Sequence, residues 1–188
     1  SENGWTLVDA AEQADGSFML NNDGATFTPM LEAGKKYSIK FDVTGLETGN
    51  DWHYQFRLAL ISGGTTLDGA LSYRQAGIWE NGNESKWVAS GTNGEIEVIV
   101  DKETGEYEMY ALGALSARGT FADTSDFTLK FYKWSGNAPF ISNVAVEEIE
   151  DDLFTDVYYK EDVWNHFLLW EIKNEKNKRR QNMLRHQY

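Results

Sequence analysis

The chain has 188 residues, 41% of them hydrophobic and 14% aromatic, so it can bury a real core and is not read as a disordered segment. It contains no cysteine, which removes disulfide frameworks and thiolate metal sites, and no apolar run approaches the length of a membrane span. The net charge of −13 is unevenly spread: residues 173–188 hold six Lys/Arg against one acid, a net of +5, so the other 172 residues carry −18. An acidic body argues against nucleic-acid binding by the main domain.

In chain order, strands are predicted at 5–9 (WTLVD) and 18–20, separated by the polar segment 13–16. Asn21, Asn22, Asp23 and Gly24 read as a turn, because Asn, Asp and Gly tolerate left-handed backbone. An extended run resumes over 25–31, where Pro29 favours an edge position. Between 37 and 43 the alternation is strict: Tyr37, Ile39, Phe41 and Val43 face one way, and Ser38, Lys40 and Asp42 the other. A Gly-rich polar loop over 44–51 leads through Trp52 and His53 to a strand over 54–61, closed by Ser62, Gly63 and Gly64. Shorter strands are expected at 70–74, 77–79 and 86–89.

Residues 95–112 (EIEVIVDKETGEYEMYAL) predict a hairpin. Ile96, Val98 and Val100 alternate with Glu95 and Glu97, and Tyr107, Met109 and Ala111 alternate with Glu106, Glu108 and Tyr110. Its single oily face needs another sheet to cover it. After a Gly/Ala/Ser stretch to Arg118, Phe127, Leu129 and Phe131 mark a further strand and 140–149 (FISNVAVEEI) the last one. The expected fold class is all-β: residues 1–150 form a two-sheet antiparallel β-sandwich of jelly-roll type, with a closed barrel as the competing architecture. Beyond Asp152 the period changes, and Val163, Trp164, Phe167, Leu168 and Ile172 recur at three- and four-residue spacing. Residues 151–188 are therefore expected to be a linker and a C-terminal amphipathic, then basic, α-helix.

Three segments carry a resemblance. LEAGKKYSIKFDVTG (31–45) resembles the early strand of extracellular carbohydrate-binding β-sandwich modules. IEVIVDKETGEYEMYALGAL (96–115) resembles the laminin G and concanavalin A-like jelly rolls, and ISNVAVEEI (141–149) resembles the closing strand of both groups. The resemblance implies a fold, and fold alone does not fix function.

For chemistry, Glu95 and Glu97 share a face as the paired acids of a concanavalin-like glycosidase would, but Ile99 and Val100 stand where a third acid is needed. A solvent-facing polar stripe accounts for both glutamates. His53, His166 and His186 have no metal-binding spacing, and no Gly-x-Ser-x-Gly elbow exists. No catalytic residue is assigned, and the chain is expected not to be an enzyme. No cofactor is called for. Asp15, Asn21, Asn22, Asp23 and Asp51 offer the hard oxygens that calcium takes, while ordinary Asx turns explain them equally well.

Seven Trp and nine Tyr exceed what a sandwich core requires. Trp52, Tyr54, Trp79 and Trp87 lie close in sequence to Arg57, Arg74, Asn81 and Asn83. Flat aromatic rings suit the C–H faces of sugars, and amide and guanidinium groups suit their hydroxyl rims. Inter-sheet packing is the competing account of each tryptophan. The apolar stripe Trp164, Phe167, Leu168 and Ile172 must dock on something, and Lys178, Arg179 and Arg180 extend it with charge. The expected function is thus a carbohydrate-binding, lectin-like module, extracellular or at a cell or virion surface. It would bind a glycan chain and engage a protein partner or a second copy through the helix. The alternative is a virion or cell-surface assembly protein that uses the sandwich as scaffold and the helix as an inter-subunit anchor.

Overall fold

The computed structural model describes residues 4–49, 53–81 and 86–150, with backbone only at 86–88. The chain divides into two compact units, Ser1–Ile149 and Glu150–Tyr188. Among the described residues the first unit holds twelve strands: β1 (Trp5–Glu12), β2 (Phe18–Phe27), β3 (Lys36–Thr44), β4 (Tyr54–Ser62), β5 (Thr65–Arg74), β6 (Ile78–Asn81), β7 (Lys86–Ser90), β8 (Gly94–Asp101), β9 (Glu106–Ala111), β10 (Ala114–Thr120), β11 (Phe127–Tyr132) and β12 (Phe140–Ile149). Every pairing is antiparallel, in the order β10-β9-β8-β3-β12-β2-β11-β4-β5-β6-β7, with β1 alongside β2.

This order describes two layers joined by one strand. The start of β2 pairs with β12 (Met19↔Phe140, Phe18↔Ile141), and its end pairs with β11 (Ala25↔Phe131, Phe27↔Leu129). Between those pairings β2 crosses from one layer to the other. The crossing falls at Asn21, Asn22, Asp23 and Gly24, which form a bulge against β1 instead of the expected turn. Bulges bend a strand and increase its twist, which is what a strand serving two layers requires. Gly24 sits at φ +59°, and a Cβ there would overlap the Phe131 carbonyl.

The core lies between the layers. Tyr37, Ile39, Phe41 and Val43 of β3 are all buried, as their alternation predicts, together with Ile96, Val98, Val100, Met109 and Ala111. From the other layer come Phe56, Leu58, Leu60, Leu71, Tyr73, Trp79, Leu129 and Phe131. Phe41 meets Phe131 edge-to-face across the interior, with ring centroids 4.9 Å apart. Fully burying each large apolar side chain contributes about 1.5–3 kcal/mol. At the far ends of the order, β10 approaches β5, β6 and β7, so the sheet nearly closes on itself.

The expectation of two separate sheets is corrected. The strands form one continuous hydrogen-bonded sheet, because β2 belongs to both layers, and no helix occurs among the described residues. The segment read as helical, with Trp164, Phe167, Leu168, Ile172, Lys178, Arg179 and Arg180, lies outside the described residues. Strand β10 was not expected, since its Gly/Ala/Ser composition hides the alternation.

Replacing Gly24 with Ala should lower stability by about 2–5 kcal/mol, combining left-handed strain with overpacking. Gly16→Ala is the control: its φ is +83°, but open space surrounds it, so only about 1–2 kcal/mol is expected. Denaturant unfolding of the two variants checks this, and equal losses would contradict the account of the crossing.

Candidate functional site

Two irregularities in the β4–β5 ladder re-aim side chains onto the outer face of that layer. The first is an extra residue in β4, Gln55, between the pairs Tyr54↔Arg74 and Phe56↔Tyr73. Phe56 and Tyr73 point into the core, so the bulge turns Tyr54 outward beside Arg74. Gln55 itself is buried and anchors the neighbouring loop, accepting from Glu47 N–H (2.9 Å) and donating to the Glu47 carbonyl (2.7 Å). The second lies between Leu58↔Leu71 and Leu60↔Leu67, where Asp68, Gly69 and Ala70 oppose the single residue Ala59. Gly69 has φ +58°, and a Cβ there would collide with the Arg57 guanidinium. Arg57 therefore lies flat across the strand.

Around that guanidinium the face is dense with aromatic and charged groups. Its central carbon stands 5.4 Å from each of three ring centroids, those of Tyr54, Tyr132 and Trp134. A guanidinium over an aromatic face gains about 0.5–2 kcal/mol per ring, the larger value when desolvated. Asp68 accepts a hydrogen bond from the Tyr132 hydroxyl and lies 4.0 Å from Arg57 Nη2. Arg74 donates to the Tyr54 hydroxyl, stacks over the Tyr54 ring at 4.6 Å, and pairs with Glu80 through Nε (3.0 Å) and Nη2 (2.9 Å). Glu80 is only 1% exposed, and both nitrogens reach its Oε1, so the pair compensates part of the cost of burying the carboxylate. By register, Tyr132, Arg57, Ser72, Glu80 and Trp87 form one row across β11, β4, β5, β6 and β7. Trp134 follows β11 in a Ser/Gly/Asn loop tied down by Ser135 N–H donating to the Tyr54 carbonyl at 2.9 Å. Its ring is 64% exposed.

The residues expected from sequence divide accordingly. Tyr54, Arg57 and Arg74 come together here. Asn81 is adjacent in β6 and buried, and Trp87 stands beside Glu80 in the ladder. Trp52 and Asn83 lie outside the described residues, as does Asp51. Trp79 is corrected: it is fully buried, edge-to-face with Phe56 at 5.9 Å and Tyr73 at 5.0 Å, so it packs the core and presents no surface to a ligand. Sequence reasoning missed Asp68, Tyr132 and Trp134. An aromatic residue in a Ser/Gly/Asn loop was the available signal for Trp134.

On the opposite layer, Glu97 accepts from Ser38 Oγ and Glu108 accepts from the Tyr110 hydroxyl at 2.8 Å, so the polar stripe there is paired within itself. A cleft of roughly 490 Å3 opens beside it, lined by Lys36, Asp101, Glu106, Glu108 and Arg118 among others. Asp15 closes an Asx turn, accepting from Ser17 N–H (3.0 Å) and Oγ–H (2.7 Å). Among the described residues no group of three acidic or histidine side chains is arranged to hold a metal ion.

No protein-family model matches the chain, and no curated protein matches it. Its fold does match solved structures. A protein from Saccharomyces cerevisiae described as functionally unknown aligns at TM-score 0.51 and 12% identity, over 77% of this chain and 95% of that one. An alginate lyase from Corynebacterium sp. aligns at TM-score 0.48 and 13% identity, over 77% and 82%. A sialidase from Trypanosoma rangeli aligns at TM-score 0.48 and 11% identity over 76% of this chain, which spans only 26% of that enzyme's length. The fold is a jelly-roll β-sandwich, in line with the resemblance in the sequence, and the likeness is one of fold. The expectation that the chain is not an enzyme is withdrawn: the structures it aligns with include alginate lyases and sialidases, and a fold by itself neither assigns nor excludes catalysis.

Burial, followed by the neighbouring Glu80 carboxylate, pushes the Tyr54 hydroxyl above its ordinary value of 10.0. Burial and then the bond to Asp68 push Tyr132 further in the same direction, and burial alone raises Tyr73. In the unfolded chain these phenols ionise near about pH 10. Their raised folded values mean a contribution to stability that is complete below that pH and is lost as pH rises toward the folded values. Unfolding free energy should therefore hold steady up to about pH 10 and fall above it, with Tyr54→Phe and Tyr132→Phe blunting the fall. Native-state phenolate absorbance appearing at about pH 10 and removed by Tyr54→Phe or Tyr132→Phe would contradict this.

Proposed function

We propose that this chain is a carbohydrate-binding β-sandwich whose ligand lies on the outer face of β11, β4, β5 and β6. The observation that carries this reading is Trp134, a flat ring 64% exposed and held beside Arg57 over a bed of charged groups. An exposed indole beside a polar network offers a flat apolar platform with hydrogen-bonding groups at its edge. A pyranose ring has an apolar C–H face that stacks on such an indole, and its hydroxyl rim reaches donors and acceptors like Arg57 and Asp68. The fixed parts of the face favour binding. Bulges, a Gly-seated guanidinium and a tethered loop leave little to be ordered when a ligand arrives. On this reading the protein works where glycan chains are displayed, outside the cell or at a cell or virion surface.

Changing Trp134 to Ala should weaken retention in polysaccharide affinity gels at least about tenfold. Stability should fall by no more than about 1 kcal/mol, since only a half-solvated cation–π contact is lost. Unchanged retention would count against this face. A large loss of stability would show the ring to be packing instead.

A further inference from the structure

We infer that the ligand of this face is a neutral sugar and that Asp68 selects it, an inference that rests on the glycan-binding reading. The charges decide it. Each guanidinium already has a carboxylate: Arg74 pairs with Glu80 at 2.9 Å, and Arg57 lies 4.0 Å from Asp68. Lys130 stands over the Tyr132 ring at 5.2 Å. The most exposed charged group of the cluster is Asp68 itself, at 66%. An incoming carboxylate or sulfate would meet that like charge at the rim, on a chain whose net charge of −13 repels polyanions at longer range.

The hydrogen-bonding capacity left at the surface points the same way. Glu80 and Ser72 are each only 1% exposed, so the row beneath is closed to a ligand, and Asp68 is the group that meets one. Its carboxylate is an acceptor, and a sugar hydroxyl can donate to it. An ionised carboxylate accepts only, and would face Asp68 as a like charge. Trp134 and Asp68 both lie against Arg57, so ring stacking and hydroxyl recognition fall within one sugar's reach.

The test is affinity electrophoresis of the full chain in gels containing soluble starch, xylan or galactomannan, and in gels containing alginate, polygalacturonate or hyaluronate, each at low and high salt. Retention by at least one neutral polymer is expected, changing less than about twofold with salt because no ion pair forms. Asp68→Asn keeps an acceptor for Tyr132 and should weaken that retention about tenfold through loss of a charge-assisted bond. Undiminished retention of this variant would overturn the role given to Asp68. Stronger, salt-sensitive retention by the acidic polymers would overturn the inference while leaving glycan binding intact. Retention by none of the six would overturn the glycan-binding reading itself.

Discussion

A guanidinium taken out of water on the outside of a sheet has to be paid for, and much of this molecule's irregular backbone serves that end. Arg57 can lie flat only because position 69 is glycine, and Gly69 is reached only through the bulge that sets three β5 residues against Ala59. The same bulge carries Asp68 to the guanidinium's end, and the Gln55 bulge turns Tyr54 onto its face. Three rings and one carboxylate then replace the lost hydration. Removing Tyr132, the buried ring among them, leaves the guanidinium short of a partner and costs more than the contact itself is worth, whereas the exposed Trp134 contributes less.

Beneath that face, the interior shows how the two sides of one layer divide their work. Tyr73, Trp79, Phe56 and Leu58 fill the space toward the opposite layer, while Arg74, Glu80, Tyr54 and Arg57 occupy the alternate positions outside. The β2 crossing at Gly24 brings the layers together and sets β11 next to β4, and so carries Tyr132 and Trp134 to the cluster. The fold thus positions the site through register and not through long loops. The same jelly-roll architecture occurs in proteins of different activities, so the chemistry has to be read from this face.

The parts of this arrangement legible in the sequence were those with clean period-two alternation. Tyr37 to Val43 and Ile96 to Val100 announce buried faces, and the structure buries them. Asn21 to Gly24 were legible as a backbone irregularity but not as a bulge, since a turn and a bulge use the same residue types. Tyr54, Arg57 and Arg74 could be found because polar residues stood among aromatics. Trp79 misled for the same reason. Its parity with Tyr73 across the ladder, which puts it inside, depends on a register that sequence does not reveal. Asp68 was missed because it looks like an ordinary strand-end acid until the pairing places it against an arginine.

The most direct test of the claim that this face is where the protein engages its ligand is NMR mapping of amide and indole signals during titration with a glycan that retains the protein. The account predicts shifts at the Trp134 indole and at the amides of the Gln55 and Asp68–Gly69 bulges, with Glu97, Glu108 and Tyr110 unmoved. Shifts centred on the cleft between Lys36 and Arg118, with the Trp134 indole unchanged, would contradict it.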